Sequence, residues 1–259
     1  MKRWLKRFGL CLLVLTIVGA FIKWIQDGGR IQEVSAQGWY NTARHSAQIL
    51  DNESNDAMVL VLAAPTYGWR GYFAVHPWIL IREEGQSTID RFEVVRWGGG
   101  TSVIRKNGTA PDAYWFGAKP EVLAKVTGKQ AQKLIPSVRD AIESYPYHDY
   151  YRIYPGPNSN TFLAHIGRQV PELGLDLPPT AIGKDYHPLA NWFTTAPSGK
   201  GMQLSLLGLL ALTVSTEEGI ELNVLGLGYG IDFNCPALRL PFAGRLEVPW
   251  VSYHLGCQP

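Results

Sequence analysis

The chain has 259 residues, a net charge of +2 and 46 % apolar residues. That length fits one large domain or two small ones, and the apolar content supplies a packed core rather than a disordered chain. Charges nearly cancel and no basic block interleaves with aromatics, which excludes the electrostatic footprint of a nucleic-acid binder.

The N-terminus is the first readable element. Lys2, Arg3, Lys6 and Arg7 precede a continuous apolar run over residues 8–22, followed by Lys23, Trp24 and Ile25. With Lys23 snorkelling, residues 4–25 approach the roughly 20 residues that cross a bilayer. The cations place the N-terminal side in the cytoplasm and everything after Trp24 outside the membrane. Val34-Ser35-Ala36 has the small-residue character of a signal cleavage site, but Lys23, Asp27, Arg30 and Glu33 separate it from the apolar run. The spacing favours a retained anchor over 1–26 with a linker over 27–57, against the alternative of a cleaved signal. Cys11 lies inside the run and reads as a small hydrophobe. Cys235 and Cys257 fit an exported chain. Two readings stand for them: a disulfide stapling the C-terminal tail, or two unrelated buried thiols.

After a short helix expected over 40–50, three strand-like runs follow. Residues 58–63 are wholly apolar, as in a strand buried on both faces. Residues 72–82 and 91–97 alternate and are rich in β-branched and aromatic side chains, with Gly85-Gln86-Ser87 connecting them as a hairpin. Gly98-Gly99-Gly100 matches no dinucleotide or phosphate-loop fingerprint and reads as a turn. Residues 111–128 read as irregular. Residues 129–145 carry Ala131, Leu134, Ile135, Val138 and Ile142 at helical spacing, with Pro136 expected to kink or split the helix. Residues 147–154 are expected as a strand leading into Tyr154-Pro155-Gly156-Pro157-Asn158-Ser159-Asn160-Thr161-Phe162.

That last stretch organises the reading. Prolines and glycine fix a turning backbone, and Asn and Thr are good helix N-caps. Phe162, Ile166 and Val170 then recur on one face until Pro171 ends the run. Ser159 is therefore expected in a rigid loop at a helix N-terminus, where unpaired amides and the helix dipole favour negative charge. A nucleophile facing an oxyanion belongs there; so does a plain cap. From residue 202 the texture becomes alternating and glycine-rich. An antiparallel hairpin is expected around Glu217-Glu218-Gly219, with a further strand over 237–240, and Gly226, Gly228 and Gly230 mark bulges or close backbone approach.

Candidate chemistry rests on His76, next to Pro77 in the second strand run, as a general base. Glu93 or Arg96 on the neighbouring run would orient it, and Ser159 would be the nucleophile, since a serine hydroxyl needs a base to react. Each also has a bland reading: a structural histidine, a solvated glutamate, a capping serine. His148 with Asp149 and Asp185 with His187 lack the spacing of a zinc motif, so no metal and no cofactor are expected.

Several blocks resemble an uncharacterised bacterial family, catalogued as domain of unknown function 3750. They are Tyr67-Gly68-Trp69-Arg70-Gly71-Tyr72-Phe73-Ala74-Val75-His76, Tyr114-Trp115-Phe116-Gly117, the 154–162 stretch, and the blocks at 177–185 and 219–227. That family name carries no activity. A weaker similarity, through His76 and Asn158-Ser159-Asn160-Thr161-Phe162, is to circularly permuted papain-like amidases and acyltransferases of the NlpC/P60 group. Those place a strand histidine first and a nucleophile later, in an Asn-Cys-x-x-Phe setting at a helix N-terminus. Serine stands here where cysteine is expected, and a hydroxyl is far less ionised than a thiol.

The expected fold is α+β: an N-terminal transmembrane helix, then a core over 58–198 that the resemblance implies is a permuted papain-like antiparallel sheet with packed helices, and a C-terminal β extension over 199–259. Ser159, His76 and Glu93 would be catalytic, with Asn158, Asn160 and Tyr154 contacting substrate or oxyanion. Three functions compete: an envelope hydrolase or acyltransferase acting on peptidoglycan, peptide or lipid; a catalytically inactive envelope binding module; and a structural partner of another membrane protein. The expected location is the bacterial inner membrane, single-pass, with the N-terminus cytoplasmic and the C-terminal domain periplasmic.

Overall fold

The structure is a computed structural model and describes residues 2–28, 45–51, 54–96, 101–247 and 250. Val34-Ser35-Ala36, Gly98-Gly99-Gly100, Cys257 and residues 40–44 of the short helix expected over 40–50 lie outside the described residues, and the rest of that stretch is not helical. Residues 45–50 form bends, with a single bridge between Ser46 and Ala113. Cys235 is disulfide-bonded and Cys11 is a free thiol.

The architecture is α+β. Helix α1 (Lys2–Gln26) is long and apolar enough to cross a membrane, a property it shares with signal sequences. A five-stranded antiparallel sheet follows, in the order β4-β3-β2-β1-β5. Its strands are β1 (Met58–Pro65), β2 (Val75–Arg82), β3 (Asp90–Val94), β4 (Ile104–Lys106) and β5 (Glu121–Thr127). Helices α2 (Gly128–Glu143) and α3 (Ser159–Gln169) cover one face, α2 over β1 and β5, α3 over β2 and β3.

Strand β1 is apolar throughout because both its faces are covered. Val59 and Val61 join Ile79, Ile81, Ile135, Val138, Phe162 and Leu163 in the core beneath the helices. Leu60 and Leu62 join Trp78, Leu80 and Trp115 in a second core on the opposite face. Each such side chain, fully buried, contributes roughly 1.5–3 kcal/mol.

Several expectations need correction. Helix α2 is continuous through Pro136 rather than split. Pro136 lies on the exposed face, where water can satisfy the carbonyl its ring leaves unbonded, while Ala131, Ile135, Val138 and Ile142 hold the other face in the core. Strand β2 begins at Val75; the preceding Gly68–Tyr72 is a 3-10 turn. Residues 147–154 form no strand. Prolines at 146 and 155 bracket them, and Tyr147 and Tyr151 pack their rings on the core while the backbone bends. Within the stretch expected to be irregular, β5 pairs antiparallel with β1, Met58 opposite Thr127.

The C-terminal region is larger than a hairpin and one strand. It is a seven-stranded antiparallel meander. Its strands are β6 (Phe193–Thr195), β7 (Gly201–Leu206), β8 (Leu210–Ser215), β9 (Gly219–Val224), β10 (Leu227–Asp232), β11 (Ala237–Leu240) and β12 (Gly244–Glu247). Its inner face is polar. Lys184 bridges Asp185 and Glu221 at 3.1 and 2.7 Å, and Arg239 bonds Glu221 and Asp176 at 2.6 and 2.7 Å. Gln203 also donates to Asp185. This buried network ties the meander to the 176–186 segment, and that segment grips the loop before α3. Gly228 shows the expected close approach: a Cβ there would lie 2.7 Å from Pro179 Cβ.

Candidate active site

The N-terminus of α3 is built by local chemistry. Asn158 has extended backbone, and its Oδ1 accepts from the Asn160 and Thr161 amides at 2.9 and 3.2 Å. Thr161 Oγ1 accepts from the Asn158 N–H in return, completing a capping box, and donates to Gly183 O at 2.7 Å. Gly183 has φ +100°, and a Cβ there would collide with the Asn158 amide. The Tyr154–Pro155 and Gly156–Pro157 bonds are cis. Ser159 thus opens the helix at a fixed point, with the helix's positive end behind it.

That point meets the start of β2. Ser159 Oγ lies 3.1 Å from His76 Nδ1, and His76 Nε2 lies 3.0 Å from Glu93 Oε2. These three side chains, 83 and 17 residues from one another along the chain, form one continuous polar line. They are 4 %, 4 % and 3 % exposed, respectively, for Ser159, His76 and Glu93. The imidazole stacks on the Trp115 ring, centroids 4.0 Å apart and nearly parallel. Glu93 also accepts from Arg91 Nη2 at 2.9 Å. Arg91 lies 4.2 Å over the Trp78 ring and donates to the carbonyls of Ala110 and Pro111.

Electrostatics set the protonation states. Burial alone would raise the Glu93 carboxyl, but its hydrogen bond from His76 and the Arg91 charge outweigh burial and hold it at about 2. Burial pushes the His76 imidazole below the ordinary histidine value, and Glu93 only partly offsets this. At neutral pH the pair is therefore a carboxylate and a neutral imidazole. The carboxylate can only accept, so His76 donates through Nε2 and presents an unprotonated Nδ1 to the Ser159 hydroxyl.

The remaining candidates fare differently. The side-chain amide of Asn158 donates to the carbonyls of Ile153 and Ile182, and that of Asn160 to those of Val75 and Ile182. Both protons of each amide are committed to backbone, so neither side-chain amide can serve as the oxyanion donor expected from the sequence. Tyr154 is half exposed and rests against Gly226; among the described residues it makes no hydrogen bond to Ser159 or His76. Arg96 is exposed, and Glu93 alone of the two orients His76. Arg91 and Trp115 were not singled out as site residues. The two-residue spacing of Arg91 and Glu93 on one strand could have flagged a shared face. A cavity of about 1140 Å³ lies between the β5 edge and the meander, lined in part by Glu121, Lys125, Asp176 and Arg245. Neither His76 nor Ser159 lines it.

Fold and site define an α+β domain that carries a buried Ser-His-Glu line behind an apolar N-terminal helix. The chain belongs to the family described as "Protein of unknown function (DUF3750)", whose model matches residues 56–186, the span from before β1 to just past the loop that grips α3. No curated protein and no solved structure matches the chain.

Proposed function

We propose that the protein is a membrane-anchored serine hydrolase or acyltransferase acting on an amide or ester, built on a permuted papain-like core over 58–198. The observation that carries this reading is the unbroken line Ser159 Oγ, His76 Nδ1, His76 Nε2, Glu93 Oε2, with both spacings close to 3 Å. A nucleophile bonded to a base that a third group orients is the arrangement acyl transfer requires.

In this reading His76 Nδ1 takes the Ser159 proton as Oγ bonds the substrate carbonyl carbon. The resulting oxyanion faces the first-turn amides of α3. Asn158 Oδ1 already holds the N–H groups of Asn160 and Thr161, which leaves the Ser159 N–H as the donor. The imidazolium returns its proton to the departing amine or alcohol, leaving an acyl-serine. Water, or an acceptor hydroxyl or amine, then attacks with His76 again as base, and Ser159 regains its proton. Anchoring by α1, with Lys2, Arg3, Lys6 and Arg7 on the cytoplasmic side, puts the domain in the periplasm of the bacterial envelope, near peptidoglycan, peptide or lipid substrates.

A second reading has a specific observation behind it. Ser159 is almost wholly buried and offers a hydroxyl in a setting that resembles a thiol site, as in a binding module that has lost its chemistry. Hydrolysis of a panel of acyl nitrophenyl esters by the full-length protein separates the two. Turnover abolished by Ser159→Ala supports the enzyme. Turnover equal in wild type and Ser159→Ala, with the fold intact by circular dichroism, favours the binding module.

A further inference from the structure

The meander is built with its polarity reversed. Antiparallel sheets on soluble domains turn apolar residues inward and polar residues to water. Here the inward positions of β7 to β9 are Gln203, Ser205, Thr213, Glu221 and Asn223, all buried. The outward positions of β7 and β8 are Met202, Leu204, Leu206, Leu210, Leu212 and Val214, each between 40 % and 58 % exposed. The register carries this face across the sheet: Met202 pairs with Val214, Val214 with Ile220, Ile220 with Ile231, and Ile231 with Leu238. No charged residue interrupts that row. Such a face far exceeds the scattered apolar side chains that water tolerates on a monomer.

What covers it is indicated by α1, which already lies on the same face. Thr16 Oγ1 is 2.6 Å from Tyr229 OH, and a Cβ at Gly19 would run into the Pro241 carbonyl and touch Leu240. Tyr229 and Leu240 occupy outward positions of β10 and β11, and both are buried. The nine residue steps from Arg7 to Thr16 advance roughly 14 Å along a helix, against a hydrocarbon core of about 30 Å. A side chain bonded to Thr16 lies at the same depth as Thr16. A spanning α1 therefore draws the outward face of β10 and β11 into lipid.

We propose that the outward face of the seven-stranded meander is a second membrane-binding surface, in contact with the acyl chains of the same bilayer that α1 enters. Its edge strands β6 and β12 have one strand neighbour each among the described residues, and hydrocarbon cannot satisfy the backbone groups of an open edge, so the sheet does not cross the bilayer. Trp192 and Phe193, exposed at the β6 edge, sit where interfacial aromatics anchor. The domain is thereby held against the membrane rather than swinging on a tether, and this inference does not depend on Ser159 being reactive.

The test places a bimane label at Leu212→Cys, and separately at Val214→Cys, in a full-length Cys11→Ser background without reductant. The protein is reconstituted in phosphatidylcholine–phosphatidylglycerol vesicles with or without bromine on the acyl chains. Ile17→Cys on α1 and the exposed Lys133→Cys on α2 are references. Both sheet labels should lose as much fluorescence to brominated lipid as the Ile17 label, and the Lys133 label should lose none. Sheet labels no more quenched than the Lys133 label overturn the proposal. So does a Leu212 label shielded from brominated lipid in a chain that cross-links to its own copies through Leu212→Cys, because that marks a self-interface.

Discussion

The two sheets are made of similar alternating antiparallel strands and use them in opposite senses. In the five-stranded sheet Val59 and Val61 face one apolar core and Leu60 and Leu62 another, so packing holds it. In the seven-stranded sheet Glu221 and Arg239 face inward and ion-pair, Glu221 also with Lys184 of the 176–186 segment, while Leu204, Leu212 and Ile220 face outward. Alternation along a strand identifies two faces but not which of them is inside. That depends on what each face meets, and in the meander the polar face meets the 176–186 segment that also fixes the loop before Ser159.

The largest effect belongs to the site at the end of the five-stranded sheet. Ser159→Ala should abolish ester turnover and His76→Ala should lower kcat/KM by roughly 10²–10⁴, the usual worth of a general base. Both variants should keep the melting temperature within a few degrees of wild type. A collapse of both folds would recast the line as structural.

Next come the opposed interiors. Arg239→Met strips one of two cationic partners from buried Glu221, and a partner from Asp176, and should destabilise the domain by about 3–5 kcal/mol in denaturant titrations. Leu62→Ala in the five-stranded sheet should cost about 2–5 kcal/mol through a cavity. If Arg239→Met were neutral, the inner face of the meander would not be held by charge.

Acid should weaken the fold in two steps, followed by melting temperature against pH. His76, His165 and His187 all have folded pKa values below the ordinary one, because burial disfavours their charged forms. The unfolded chain takes up those protons first, so stability falls as pH drops below about 6.5. Glu93, held at about 2 against an ordinary 4.5, adds a second loss between those values. His76→Gln should flatten the first step in part; a melting temperature that rises on acidification would contradict the assignment.

The smallest effect is expected outside. Leu212→Ala on the outward face should change stability in detergent by less than about 0.5 kcal/mol, as surface sites do. A loss as large as that of Leu62→Ala would mean that protein, not lipid, packs there.

The sequence made some of this visible and hid the rest for physical reasons. The apolar run of β1, the apolar helix α1 and the capped start of α3 were legible because each depends on local pattern and turn chemistry. His76, Glu93 and Ser159 were nameable through residue type and resemblance, but their convergence is a tertiary fact. Strand β5 was hidden because its partner β1 lies more than fifty residues away and its Glu121, Lys125 and Thr127 blur the alternation. The tyrosines of 147–154 have strand propensity, yet prolines and core packing override it. The amides of Asn158 and Asn160 could not be assigned in advance, because the carbonyls that take them come from Val75, Ile153 and Ile182.

The central claim is that Ser159 is activated through His76. The most direct test treats full-length protein in membranes with a fluorophosphonate and locates the adduct by peptide mass spectrometry. The account predicts phosphonylation at Ser159 that disappears in His76→Ala. An unmodified Ser159 peptide from folded protein, under conditions that label a control serine hydrolase fully, would contradict it.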